Sequence, residues 1–212
     1  YMENWQANGL TFDGICTGFL GSVEQIAIVI DFIRQFKQAH THVMIDPVMG
    51  DYGRLYASYT KEMCAEMRRL LEYADLVTPN LTEACELLDL PYPEEGRVTD
   101  AELRQMAEQL SSHGPAQVVI TGLSDGEYLK NFIFERGKRT QILRVKKIGG
   151  DRSGTGDAFA AIVAGSLVKG EGLYSSVKKA ADFISKSLAY TVELDLPWNY
   201  GLAFEEYLTE LK

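Results

Sequence analysis

Two kinds of apolar pattern alternate along this chain, and the alternation sets the architecture. Short β-type runs at Phe12–Thr17, Val43–Ile45, Leu76–Thr78 and Val118–Thr121 have the length and content of buried strands. Between them apolar residues recur at helical spacing. Ile26, Ile30 and Ile33 mark one face of a helix running to about Gln38, opened by the capping box Ser22-Val23-Glu24-Gln25 after a turn at Gly18 and Gly21. Further helices are predicted over 60–71 and 80–88, and from Thr99-Asp100-Ala101-Glu102 to about Ser111. Two more follow near 154–169 and 173–191, with a terminal piece at 203–211. Gly126 to Val145 reads as two β segments turning at Arg136-Gly137-Lys138, and Gly50, Asp51 and Gly53 mark a loop.

Such alternation predicts a doubly wound α/β fold, its mostly parallel sheet covered by helices on both faces. Ligands bind such sheets at the carboxyl ends of the strands. Asp46, Thr78 with Asn80, and Thr121 each follow directly on a predicted strand.

Composition narrows the classes. A chain of 212 residues with 46% apolar and 24% charged residues suits one globular domain. Net charge is −9 and the longest basic cluster is Lys146-Lys147, which argues against a nucleic-acid or anionic-membrane surface. No apolar run is long enough for a membrane span and no signal peptide is read. Cys16, Cys64 and Cys85 lack metal-ligand spacing and are expected to be reduced core thiols, and it is this cysteine usage that suggests a cytoplasmic protein. His40, His42 and His113 lie in polar stretches and are expected at the surface. The chain opens at Tyr1 without a recognisable first strand, so an N-terminal portion is expected to be missing.

Chemistry concentrates in three stretches. Gly149-Gly150-Asp151-Arg152-Ser153-Gly154-Thr155-Gly156-Asp157 runs straight into the apolar helix Ala158–Leu167. Glycines let the backbone approach a ligand, and unpaired amides at a helix start favour an anion. A tight turn with Thr155 or Asp157 as cap is the alternative reading. Thr155 and Gly156 stand where a Walker loop needs Lys and Ser/Thr, and Phe159 where a dinucleotide fingerprint needs Gly or Ala, so neither motif applies. Asp46-Pro47-Val48-Met49-Gly50-Asp51 sets two carboxylates on a strand-end turn, suited either to capping it or to holding hydrated Mg²⁺. Thr78-Pro79-Asn80-Leu81-Thr82-Glu83 reads as a capping box or as a set that orders a metal-bound water. Together they supply what phosphoryl transfer needs: a metal site, amides for the transferring phosphate and a base for the acceptor proton.

In this order and spacing the three motifs resemble the ribokinase-like superfamily, most closely its pyridoxal/pyridoxamine (vitamin B6) kinase branch. Thr17-Gly18-Phe19-Leu20-Gly21-Ser22 and Tyr56 support the branch, and the resemblance runs from about Phe12 to Leu188. It implies a single ribokinase-like kinase domain that phosphorylates the hydroxymethyl group of pyridoxal, pyridoxamine or pyridoxine with ATP. Asp157 is then the base, and Gly154, Thr155 and Gly156 hold the γ-phosphate. Asp46 and Glu83 organise Mg²⁺ and a monovalent cation, K⁺ or Na⁺. Asp51, Tyr56, Thr78, Asn80, Thr121 and Gly122 contact the nucleotide. Phe19 stands where related kinases often carry Tyr against the pyridine ring, keeping the stacking face but losing the hydroxyl. A homodimer is implied as well. A hydroxymethylpyrimidine or sugar kinase of the same superfamily and a non-catalytic nucleotide-binding protein remain alternatives.

Overall fold

The computed structural model describes residues 1–211. In chain order its elements are α1 (Met2–Ala7), β1 (Gly14–Cys16), α2 (Val23–Phe36), β2 (His42–Ile45), β3 (Gly50–Asp51), β4 (Arg54–Leu55), α3 (Lys61–Arg69) and β5 (Leu76–Val77). Then come α4 (Leu81–Leu88), α5 (Asp100–Ser112), β6 (Gln117–Asp125), β7 (Tyr128–Glu135), β8 (Gln141–Lys146), α6 (Thr155–Val168) and α7 (Leu173–Glu193). Six strands form one sheet in the order β1-β2-β5-β6-β7-β8, while β3 and β4 make a separate hairpin. β1, β2, β5 and β6 pair in parallel; β7 and β8 continue antiparallel.

Strand periodicity explains why both faces are covered. Successive side chains point to opposite sides of a strand, so an unbroken apolar run feeds two cores. Val43, Ile45, Val77, Val118, Ile120, Phe132 and Phe134 pack into one core with α2, α3, α4 and α5. Met44, Leu76, Val119 and Ile133 face a second core with α6 and α7. The doubly wound, mostly parallel sheet expected from the sequence is therefore the fold.

Most helix starts are set by local side chains. Ser22, Thr60, Asn80 and Thr99 each accept the backbone N–H three residues on, satisfying one of the orphan amides. Asn80 with Glu83 and Thr99 with Glu102 form complete capping boxes. The box read at Ser22 is only half made. Gln25 Oε1 accepts from the N–H of Gly21 at 2.7 Å instead of that of Ser22, so the glutamine reaches one residue further back.

Two expectations need revision, and one helix lies where no element was expected. Residues 2–7, which show no strong pattern, form α1, held because Trp5 packs edge-on against Phe12 at 5.6 Å and Phe32 at 5.8 Å. The loop at Gly50–Gly53 is a β-hairpin. Cys64 and Cys85 are buried thiols, but Cys16 is exposed: β1 alternates, so Ile15 enters one core while Cys16 lies on the opposite face, at a groove beside α6. The groove, of about 370 Å³, is lined by Gly14, Cys16, Val43, Gly165 and Val168 and runs toward the amino ends of the strands. His40, His42 and His113 are exposed as expected.

Candidate active site

The carboxyl ends of the parallel strands hold the buried polar residues. Asp46, directly after β2, is 7% exposed. Its N–H donates to Thr17 Oγ1 at 3.2 Å, and Thr78 Oγ1, just past β5, donates to Asp46 Oδ1 at 3.1 Å. Burial raises the Asp46 carboxyl to about 7; the Thr78 hydrogen bond opposes this and the Asp157 charge adds to it. Glu83, also buried, closes its capping box through Asn80 N–H to Oε2 at 2.8 Å and accepts Met49 N–H on Oε1 at 3.2 Å. Burial pushes its pKa well up, against the Asn80 and Met49 amides and with the help of Asp46 and Asp51. The capping reading of Asn80 and Glu83 is thus realised. It also fixes the acid beside Asp46.

Across from these acids the Gly-rich loop joins β8 to α6. Gly154 caps α6 at φ 87°, a conformation other residues adopt at a cost, and no side chain caps the helix. Thr155 does not cap it, because its hydroxyl donates back to the Arg152 carbonyl at 3.1 Å. The first-turn amides are therefore left open, and the dipole there favours an anion. Asp157, in that first turn, is exposed. A Cβ placed on Gly18 would lie 4.0 Å from Asp157 Oδ1, so the turn carrying Phe19 borders the carboxylate. Phe19 is 51% exposed and meets Tyr59 edge-to-face at 5.9 Å, leaving its ring open to a flat ligand.

The β3–β4 hairpin arches over the same end. Asn80 Nδ2 donates to Gly50 O at 2.8 Å, and Gly53 N–H donates to Thr82 Oγ1 at 2.8 Å. Tyr52, at the tip, donates its phenol to Asp151 Oδ2 of the Gly-rich loop at 2.6 Å. Burial raises the pKa of Asp51, with the Tyr52 amide opposing and Asp151 adding. Tyr56, past the hairpin, is raised by burial and by the charges of Asp51, Glu83, Asp157 and Asp46, all within electrostatic reach of one phenol. Thr121 and Gly122 occupy the register break between Ile120 and Leu123 in β6, where Thr121 N–H donates to Pro79 O at 2.9 Å beside Asn80. On the far side of the Gly-rich loop, Arg152 donates to the carbonyls of Leu196 at 2.9 Å and Pro197 at 2.6 Å.

The residues singled out in the three motifs, with Phe19, Tyr56, Thr121 and Gly122, thus lie around one end of the sheet. Residues not singled out also belong there: Tyr52, Thr82 and Arg152 act through loop geometry, which no periodicity announces. Thr17 was visible as a strand-end hydroxyl, and Asp151 as an acid inside the Gly-rich loop.

Chemically, the arrangement offers open helix-start amides for a phosphate, an exposed carboxylate beside them and two buried acids opposite. The buried pair fits a hard cation, since burial without a counter-charge is what raises both acids and a bound cation would relieve it. Among the described residues no group of three or more His, Cys, Asp or Glu surrounds a common point.

A sequence model of the phosphomethylpyrimidine kinase family matches residues 5–199. The chain is 31% identical over 182 residues to the hydroxymethylpyrimidine/phosphomethylpyrimidine kinase of Haemophilus influenzae, covering 84% of this chain and 65% of that one. It is 30% identical over 200 residues to the pyridoxine/pyridoxal/pyridoxamine kinase of Bordetella avium, covering 90% of this chain and 65% of that one. The chain therefore spans about two thirds of the length of these relatives. Among solved structures, a candidate phosphomethylpyrimidine kinase of Bacteroides thetaiotaomicron, crystallised with pyridoxal, superimposes with a TM-score of 0.89 at 36% identity over 99% of this chain and 74% of that one. Pyridoxal kinase from Lactobacillus plantarum gives 0.89 at 27% identity over the same shares. The chain belongs to the phosphomethylpyrimidine kinase family, within the ribokinase-like superfamily.

Proposed function

We propose that this kinase-family chain transfers the γ-phosphoryl group of ATP to the hydroxymethyl oxygen of a B6 vitamer: pyridoxal, pyridoxamine or pyridoxine. One observation carries the reading. Asp157 stands in the first turn of an uncapped helix whose amides are free to hold the transferring phosphate. Asp157 takes the acceptor proton as the hydroxymethyl oxygen attacks the γ-phosphorus and ADP leaves. The amides of Gly154, Thr155 and Gly156 hold the equatorial oxygens in this reading, and the ring of Phe19 stacks on the heteroaromatic acceptor. Asp46 and Glu83 would hold Mg²⁺, with a monovalent cation nearby; when bound, the ions neutralise the phosphate charge. Asp51, Tyr56, Thr78, Asn80, Thr121 and Gly122 are assigned to the nucleotide. The free thiols accord with a reducing, cytoplasmic setting, and a homodimer remains part of the proposal.

The B6 assignment draws on the pyridoxal-bound Bacteroides relative and the Bordetella enzyme. A second reading, phosphorylation of hydroxymethylpyrimidine, is favoured by the Haemophilus relative at 31% identity. ADP release measured with purified protein, ATP, Mg²⁺ and each alcohol separates them. Selective turnover of a B6 vitamer is the expected result. Selective turnover of the pyrimidine overturns the vitamer assignment, and ATP binding without turnover of any alcohol overturns catalysis.

A further inference from the structure

We propose that Tyr52 is a positioning residue that latches the β3–β4 hairpin to the Gly-rich loop and so closes the phosphate site on its open side. The inference rests on the kinase reading for its purpose, but not for its geometry.

The first observation is conformational. Tyr52 and Gly53 form the two-residue turn of the hairpin, both with positive φ, 50° and 74°. That backbone prefers Asn-Gly or Asp-Gly, because the first residue must adopt a left-handed conformation that a bulky side chain tolerates poorly. A tyrosine here is a poor turn former, so its side chain needs another reason to be present.

The second observation supplies that reason. The Tyr52 phenol reaches Asp151 Oδ2 at 2.6 Å, the length of a charge-assisted O–H···O⁻ bond. This hydrogen bond, more than burial, raises the phenol's own pKa, so it stays a donor. The keeper is fixed as well, because Arg152, next to Asp151, is tied to the carbonyls of Leu196 and Pro197. On its other side the hairpin is anchored to α4 through Thr82 and Asn80, and Gly53 lies so close to Tyr92 that a Cβ would meet the ring at 2.8 Å. The hairpin therefore bridges the α4 start and the anion loop. Tyr56, which follows it, lies within electrostatic reach of Asp51, Glu83, Asp157 and Asp46. Losing the latch leaves the hinge side intact and frees the tip.

The test uses Tyr52→Phe, Asp151→Ala, their double variant and Tyr52→Asn, which suits the turn but cannot reach the carboxylate. In ligand-free protein, amide hydrogen exchange across residues 51–56 should accelerate in every variant, and to the same extent in the double variant as in either single one. With ATP and the accepted alcohol, KM for ATP should rise about three- to tenfold with little change in kcat, the size expected for one exposed charge-assisted hydrogen bond. Exchange indistinguishable from the parent in Tyr52→Phe and Tyr52→Asn overturns the latch, as do additive effects in the double variant. Because exchange is read without substrate, a failure of the kinase assignment leaves the latch test standing.

Discussion

Replacing Asp46 by Asn tests whether the strand-end acid is held at an energetic cost. Burial raises this carboxyl from 3.8 to about 7 in the folded protein. In the unfolded chain it is deprotonated above about pH 4, whereas the folded state keeps the proton until about pH 7. Between those limits the folded state binds more protons, so stability falls as pH rises and the loss is complete above about pH 7. A separation of about three pH units corresponds to about 4 kcal/mol at about pH 8. Asparagine keeps the acceptor for Thr78 but adds an amide donor, whose burial without a partner costs about 1–3 kcal/mol. In metal-free buffer the variant should therefore be about 1–3 kcal/mol more stable than the parent at about pH 8. The comparison across pH is sharper, because the amide cost cancels. Between about pH 8 and pH 5 the advantage of the variant should shrink by about 2–3 kcal/mol. Urea unfolding followed by circular dichroism at several pH values measures it. A difference between parent and variant that stays flat over that range refutes the argument. Added Mg²⁺ should raise the stability of the parent more than that of the variant.

Two further predictions follow from the same end of the sheet. Asp157→Ala should lower kcat by about 10²–10⁴ while ATP still binds, as expected for loss of a general base; near-normal turnover would remove Asp157 from that role. Asn80→Ala deletes the cap of α4 and the tether to Gly50, so it should cost about 1–2 kcal/mol in urea unfolding and accelerate exchange in the hairpin. An unchanged midpoint would show that Glu83 and Met49 hold this corner without it.

The parts of the fold that could be read from the chain are those encoded by periodicity and caps. Val43-Met44-Ile45 and Val118-Val119-Ile120 announce two-sided burial, and Thr99 with Glu102 announces a helix start, because each depends on neighbours a few positions away. β6 runs on to Asp125, further than its apolar core suggests, because backbone pairing with β7 carries the polar residues. The hairpin stayed hidden since its turn uses Tyr52 where Asn would have advertised it. Cys16 looks like a core residue, but its face of β1 opens on the groove beside α6. Asp46, Asn80, Glu83 and Asp157 were legible as strand-end and loop acids and amides. Tyr52 and Asp151 were not legible as partners, for two loops far apart in sequence carry no shared pattern that would pair them.

The clasp of Arg152 on residues 196 and 197 has an optical consequence. The chain has two tryptophans, Trp5 and Trp198. Trp5 sits among the phenylalanines of α2, whereas Trp198 is 73% exposed and follows directly on the carbonyl that Arg152 holds. The two indoles accordingly sit in different surroundings, one partly covered by aromatic rings and one open to aqueous quenchers. Any ligand that displaces the Gly-rich loop pulls on the backbone beside the open fluorophore. The molecule thus carries a native reporter for its Gly-rich turn, readable without a label.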